Sequence, residues 1–339
     1  MTPAPVKTGI ALGSGAARGL AHIGVLLELE AVGIRPDIIC GTSIGALVGA
    51  VAATEKTRIV RDWLLTLTSR DVIRYLGLRA SLRSGFSDAN PLIAKLRQLC
   101  GSPEIGSLAV RYAAIGTDLA TGKELWMQEG DLWDAARCSM SLPGLITPAA
   151  YDRRWVTDGG LVNPVPVSVC RALGADIVIA VNLNDDLSGR RQAYTAHLNP
   201  QPEPPAPGMM DRFTHGIRDR LPDRFRQWFD EEDGTTGVAP LQSEDPISPM
   251  PGIFSIVNNS INIMQDRITR SRLAGEPADV MIAPRLNDMG LLDFDSAESA
   301  IAEGQTAVRR ALPLLRYVPG LALHQKPAHH DQESDPPAD

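Results

Sequence analysis

A serine flanked by glycines at two-residue spacing, Gly41-Thr42-Ser43-Ile44-Gly45, is the segment of this chain best suited to covalent chemistry. It follows an apolar run, Asp37 to Cys40, and precedes an alanine-rich helix reaching about Ala53, so the serine falls on a tight strand-to-helix turn. Such a turn presents a hydroxyl at the edge of a sheet, lets backbone pass close by at Gly41 and Gly45, and aims helix amides at developing negative charge. A serine hydroxyl needs a base. His22 reads as a satisfied or surface histidine of the first helix, His197 and His215 fall in a proline-rich stretch, and His324, His329 and His330 lie in or near the polar tail. None ends a strand. Asp158 does: it closes the short strand Trp155 to Thr157 and is followed by Gly159 and Gly160. The commonest use of Asp-Gly is a plain turn. Burial beside Ser43 would lift the carboxyl from its ordinary value of about 4 and make a Ser–Asp pair chemically competent.

The third segment is Gly13-Ser14-Gly15-Ala16-Ala17-Arg18-Gly19, between the first apolar strand and its helix. Backbone amides there suit a negative oxygen, and Arg18 adds fixed positive charge. Two readings compete. A dinucleotide fingerprint needs G-x-G-x-x-G, but Arg18 takes the place of the third glycine, Gly19 comes one residue late, and Glu30 and Asp37 are poorly placed as a ribose-binding acid. An oxyanion hole for Ser43 needs only exposed amides on the neighbouring strand's loop.

Three such segments meet only if strand ends lie side by side. Val6 to Leu12 reads as a buried strand, Arg18 to Val32 as a helix stopped by Gly33, and Asp37 to Cys40 as the next strand. Val110 to Asp118 and Lys123 to Gln128 flank Thr121-Gly122 as a hairpin, Asp131 to Met140 and Pro164 to Ala172 read as helices, and Asp176 to Leu183 as a strand. Beyond Phe254, the spacing of Ile256, Ile263 and Ile268 predicts a helix, followed by a strand at Asp279 to Ile282 and a last helix from Ser296 to Leu315. The alternation is that of an α/β fold with a mostly parallel sheet.

Composition narrows the function classes. With 33 basic and 40 acidic residues the net charge is −7, which argues against a dedicated nucleic-acid binder. Four scattered cysteines, Cys40, Cys100, Cys138 and Cys170, carry no metal-ligand spacing and suit a reducing, cytoplasmic setting. Residues 1–7 lack a signal-peptide layout and no apolar run is long enough to span a bilayer. No metal or cofactor is expected.

Together the three segments resemble the patatin-like phospholipase family. The glycine loop with Arg18-Gly19, the Ser43 elbow and Asp158-Gly159-Gly160 stand in that family's order and at about its spacing. The resemblance extends through His22-Ile23-Gly24-Val25-Leu26, Ser141-x-Pro143-Gly144 and Asn163-Pro164-Val165-Pro166, and covers residues 6–185. Residues 258–315 look like the bacterial single-domain branch related to neuropathy target esterase. The resemblance implies a three-layer α/β/α sandwich over 6–323, and hydrolysis of lipid or other acyl esters by a Ser–Asp dyad without metal. Ser43 is then the nucleophile and Asp158 the base, with Gly41, Gly45, Gly159 and Gly160 supporting them. The oxyanion donors come from Gly13, Ser14, Gly15, Ala16 and Arg18. The family's glycine run is usually fuller; Ser14 and Ala16 stand here in place of glycines, and a solvated loop serine is the expected state of Ser14. An esterase, thioesterase or acyltransferase on the same dyad, or a low-turnover regulatory protein keeping the fold, are the competing readings.

Ten of the 26 prolines lie between Pro200 and Pro251, marking 187–251 as an insertion. Within it, over 209–229, Phe213, Ile217, Leu221, Phe225 and Trp228 recur at helical spacing among arginines, as in a basic amphipathic helix. A lipid-interface helix giving peripheral membrane contact, a lid and a subunit contact are all compatible with that pattern. The polar tail 324–339 is expected to be disordered.

Overall fold

Strands that are apolar throughout belong between two helical layers, because neither face is left for water. The computed structural model has this arrangement, and it describes residues 5–77, 87–185, 253–286, 289, 293–294 and 296–321. The expected insertion 187–251, its 209–229 helix and the 324–339 tail lie outside the described residues.

The chain runs through β1 (Thr8–Leu12), a 3₁₀ turn (Ala16–Leu20), α1 (Ala21–Ala31), β2 (Ile38–Thr42), α2 (Ile44–Ala53), α3 (Thr57–Leu64), α4 (Ser69–Leu76) and α5 (Asn90–Cys100). It continues through β3 (Arg111–Asp118), β4 (Glu124–Met127), α6 (Leu132–Ser139), β5 (Ala149–Tyr151), β6 (Arg154–Asp158), α7 (Val167–Ala172) and β7 (Ile177–Val181). Beyond residue 252 come α8 (Ile253–Gly275), β8 (Val280–Ile282) and α9 (Ala297–Tyr317). Relative to the sequence expectation, α3, α4, α5 and β5 are additions. The first helix also starts later than Arg18: Ala16 takes a left-handed φ of 49° and the Arg18 amide bonds the Gly15 carbonyl, so the chain winds as 3₁₀ before α1 begins.

The eight strands form one sheet in which β8, β7, β1, β2 and β3 run parallel. Alternation sorts the side chains into two cores. Ile10, Leu12, Ile39, Ile179 and Val181 point to the side of α1, α2, α6 and α9. Ala11, Ile38, Cys40, Val178 and Ala180 point to the side of α7. The result is a three-layer α/β/α sandwich. The Ile23-Gly24 step lets α1 and α9 cross closely: a methyl on Gly24 would strike the Ile301 carbonyl, and one on Gly304 the Ala21 carbonyl.

Registers around β3 decide where the chemistry sits. Ala114 and Ile115 pair with β2 on one side and β4 on the other, while Gly116 and Thr117 pair with β4 and β6. A strand has two edges, so β6 takes over the edge of β3 at the point where β2 leaves it. Thr42 lies opposite Ile115 and Asp158 opposite the next residue, Gly116. The two strands meet end to end, which brings Ser43 and Asp158 together across 115 positions of sequence.

Candidate active site

Ser43 links β2 to α2 at φ 59° and ψ −125°, a conformation that costs an L-residue roughly 1–3 kcal/mol and persists only where surroundings enforce it. Three features enforce it here. A methyl on Gly41 would lie 2.5 Å from the Ala46 nitrogen, and one on Gly45 2.6 Å from the Leu12 carbonyl carbon, so both positions admit glycine alone. The Ser43 amide donates to Ser139 Oγ at 2.9 Å, and Ser139 Oγ donates to the Ile115 carbonyl at 2.5 Å. That carbonyl is available because β2 has ended beside it. The elbow is thus pinned from β1, β3 and α6 together.

The Ser43 hydroxyl, almost fully buried, donates to Asp158 Oδ2 at 2.5 Å. Asp158 is itself inaccessible to solvent. Its Oδ1 accepts the Gly160 amide at 2.7 Å, its carbonyl accepts Thr117 Oγ1 at 2.8 Å, and its own amide donates to the Ser141 carbonyl at 3.0 Å. The Asp-Gly-Gly turn therefore orients the carboxylate as well as turning the chain. Burial pushes the Asp158 carboxyl up to about 6, with the hydrogen bonds from Ser43 and Gly160 opposing the shift. A carboxylate with that affinity is a stronger base than a solvated one and is still ionised at neutral pH.

The β1 loop closes the site from the other side. Its amides are not equivalent: Gly13 donates to the Val181 carbonyl at 3.0 Å, Ser14 to Pro164 at 2.9 Å, and Arg18 to Gly15 at 3.2 Å. The amides of Gly15 and Ala16 have no such partner among the described residues, and these two residues line the crevice that reaches Ser43. Ser14 departs from the expected solvated state. It is buried, and its hydroxyl donates to Gln265 Oε1 of α8 at 2.9 Å. Arg18 is buried too, its Nη2 lying 3.4 Å from Asn262 Oδ1. His22 is fully buried with Nε2 2.8 Å from the Gly13 carbonyl, and burial lowers its pKa to about 4, so it braces the loop as a neutral ring. It does not touch Ser43 in any hydrogen bond of the described residues.

Helix α8 supplies what the sequence reading missed. Ile261, Gln265 and Thr269, spaced by four, form its buried stripe, while Ile256 and Ile263 face outward, so the isoleucine spacing that predicted the helix does not mark its inner face. Ile261, Asn262 and Gln265 line the crevice with Ser14, Gly15, Ala16, Ser43 and Leu142, leaving about 20 Å³ of space. In the sequence this face is marked only by Ile261, Gln265 and Thr269 at four-residue spacing, a pattern with too few apolar residues to read as an inner face.

Residues 10–171 match the family model described as patatin-like phospholipase. An NTE family protein of Mycobacterium tuberculosis is 32% identical over 332 residues, covering 90% of this chain and 91% of that protein. Patatin-like phospholipase domain-containing protein 7 of Mus musculus is 36% identical over 181 residues, which are 51% of this chain and 13% of that protein. Neuropathy target esterase sws of Drosophila melanogaster is 34% identical over 199 residues, 53% of this chain and 14% of that protein. With near end-to-end similarity to the mycobacterial relative and the glycine loop, elbow and Asp-Gly-Gly turn inside the matched region, the chain belongs to the NTE family of patatin-like phospholipases.

Proposed function

We propose that this chain is a serine acyl hydrolase that releases fatty acid from phospholipid or lysophospholipid through a Ser43–Asp158 dyad and an acyl-enzyme. The family acts on lipid esters. The observation that carries the finer reading is the 2.5 Å hydrogen bond from Ser43 Oγ to a fully buried carboxylate, at an elbow held in a left-handed conformation.

In the first half-reaction Ser43 Oγ bonds to the ester carbonyl carbon as its proton passes to Asp158 Oδ2. The carbonyl oxygen becomes an oxyanion that accepts hydrogen bonds from the amides of Gly15 and Ala16. Collapse breaks the bond to the alcohol oxygen, which takes the proton back from Asp158 and leaves. A water molecule then attacks the acyl-enzyme with Asp158 again as base, and the fatty acid departs as Ser43 recovers its proton. Residues 6–323 form the catalytic unit in this reading, with 187–251 inserted between β7 and α8.

The test pairs wild type with Ser43→Ala on a mixed lipid extract, with products read by mass spectrometry, and challenges both with a serine-directed fluorophosphonate. Wild type should release free fatty acid and take one adduct. Ser43→Ala should do neither. An adduct on the Ala variant would put the nucleophile elsewhere.

A further inference from the structure

Two carboxamides of α8, Asn262 and Gln265, stand about one turn apart and line the crevice at Ser43. Each turns its oxygen to the β1 loop: Gln265 Oε1 accepts the Ser14 hydroxyl at 2.9 Å, and Asn262 Oδ1 lies 3.4 Å from Arg18 Nη2. The second contact settles the orientation of Asn262. A guanidinium carries donors and no acceptor, so the atom facing it is the amide oxygen, and the Nδ2 hydrogens are directed away from it. The two amide nitrogens then differ. Gln265 Nε2 packs over the Asp158 turn, where a methyl on Gly160 would strike it. Asn262 Nδ2 makes no hydrogen bond among the described residues.

The crevice leaves about 20 Å³, and a single water needs about 10–15 Å³. Whatever sits there is close to one oxygen in size and lies against Ser43, the β1 loop and α8 together. An oxygen bonded to the carbon that Ser43 attacks meets that description. We propose that Asn262 Nδ2 donates a hydrogen bond to the oxyanion beside the amides of Gly15 and Ala16, so that α8 supplies a catalytic side chain. The proposal rests on the Ser43 acyl-enzyme reading. Charge builds on that oxygen as the tetrahedral intermediate forms, so a fixed donor favours the transition state over bound ester. The guanidinium at Asn262 Oδ1 polarises the amide and strengthens its N–H as a donor. Both half-reactions pass through an oxyanion, and one donor serves both.

Asn262→Ala and Asn262→Asp are compared with wild type on p-nitrophenyl butyrate at pH 8. Loss of the donor should lower kcat by about 10²- to 10³-fold in Asn262→Ala, with KM within about threefold of wild type. Asn262→Asp is the sharper variant and covers the case in which the Ala variant does not fold. It keeps the shape of the side chain and an oxygen for Arg18, so it would rescue a residue that only braces the loop. A donor is not rescued. Asp should be at least as slow as Ala, because its carboxylate meets the oxyanion with like charge, while its thermal unfolding stays close to wild type.

A pair of inhibitors reads the oxyanion separately. Ser43 Oγ bonds to the carbonyl carbon of an alkyl trifluoromethyl ketone, its proton passes to Asp158, and the ketone oxygen becomes an oxyanion in the crevice. The methyl ketone of the same chain binds without that addition. Asn262→Ala should weaken the first by about 100-fold and the second by less than about threefold. Equal weakening of both ketones overturns the proposal, as does Asn262→Asp with wild-type kcat. A wild type that hydrolyses no ester and takes no fluorophosphonate adduct removes the Ser43 reading and the proposal with it. An active, labelled wild type whose Asn262 variants are equally active removes Asn262 alone.

Discussion

β1 and β2 lie side by side, end at the same edge of the sheet, and pass into turns that serve one site, but the two turns are held in different ways. The β2 elbow is fixed mainly by close main-chain contact. Its glycines admit no methyl against the Ala46 nitrogen and the Leu12 carbonyl carbon, and the Ser43 amide is tied to a serine that reaches into the sheet. The β1 loop has main-chain bonds too, from Gly13 to Val181 and from Ser14 to Pro164, but adds side-chain braces: Gln265, 251 positions on, holds the Ser14 hydroxyl, and His22 holds the Gly13 carbonyl. Both turns carry one non-glycine residue at positive φ, Ser43 at 59° and Ala16 at 49°. The nucleophile therefore stands on close backbone contacts, and the loop proposed to receive the oxyanion leans in addition on a side chain of α8. The elbow should break when backbone contacts are violated, and the loop should give way gradually.

The largest effect belongs to the carboxylate that the elbow faces. Asp158→Asn should lower kcat by about 10⁴- to 10⁶-fold, the range spanned when single triad members are removed from another serine hydrolase. The same variant should be more stable at pH 8, and the sign follows from the shift. Folding raises the Asp158 carboxyl from 3.8 to about 6, so the native state prefers the proton. Stability from that proton is complete below pH ~4 and is lost as pH rises through ~6, a change of up to about 3 kcal/mol at 1.36 kcal/mol per unit. Asn carries no such dependence. Denaturant titrations should show the variant gaining on wild type between pH 4 and pH 7, while wild-type kcat/KM falls about tenfold per unit below pH ~6. A flat wild-type profile through that range would remove Asp158 as the base. Next in size is Gly45→Ala. Its methyl meets backbone on β1 and cannot rotate away, so unfolding measurements should show a loss of about 3 kcal/mol, the upper end for overpacking.

The same contrast explains how much could be read beforehand. The elbow was legible because its requirements lie within five residues: an apolar strand, two glycines and a small-residue helix. Asp158 was legible because a strand tip followed by Gly-Gly is a local pattern. Its partnership with Ser43, however, depends on β6 replacing β2 along β3, a register that no local signal states. The roles within the β1 loop were less legible. Which amides are engaged depends on the carbonyls of Val181 and Pro164, and the buried state of Ser14 depends on Gln265. Isoleucine spacing found α8 but not its inner face, because that face carries Gln265 and Thr269 where a core helix would carry apolar residues.

Gln265→Leu probes the loop's support directly. It leaves the buried Ser14 hydroxyl without its acceptor, and a group so stranded costs about 1–3 kcal/mol. Thermal unfolding should register a loss in that range, and kcat should drop by about tenfold if the loop amides drift from the oxyanion position. Unchanged kcat with lowered stability would show that the loop holds its shape without α8.

Ala16→Gly gives the smallest effect and the sharpest contrast with Gly45→Ala. Ala16 sits at φ 49°, where the absence of a side chain relieves roughly 1 kcal/mol of strain. Glycine also widens the unfolded ensemble, which costs about 0.4–1 kcal/mol in the opposite direction. The Ala16 methyl is only half-buried, so little packing is lost. The two terms nearly cancel, and stability should shift by no more than about 0.5 kcal/mol, with kcat within about threefold of wild type. A loss above 2 kcal/mol would mean that the β1 turn is as rigidly built as the elbow, and that the difference between the two strand tips lies in sequence alone.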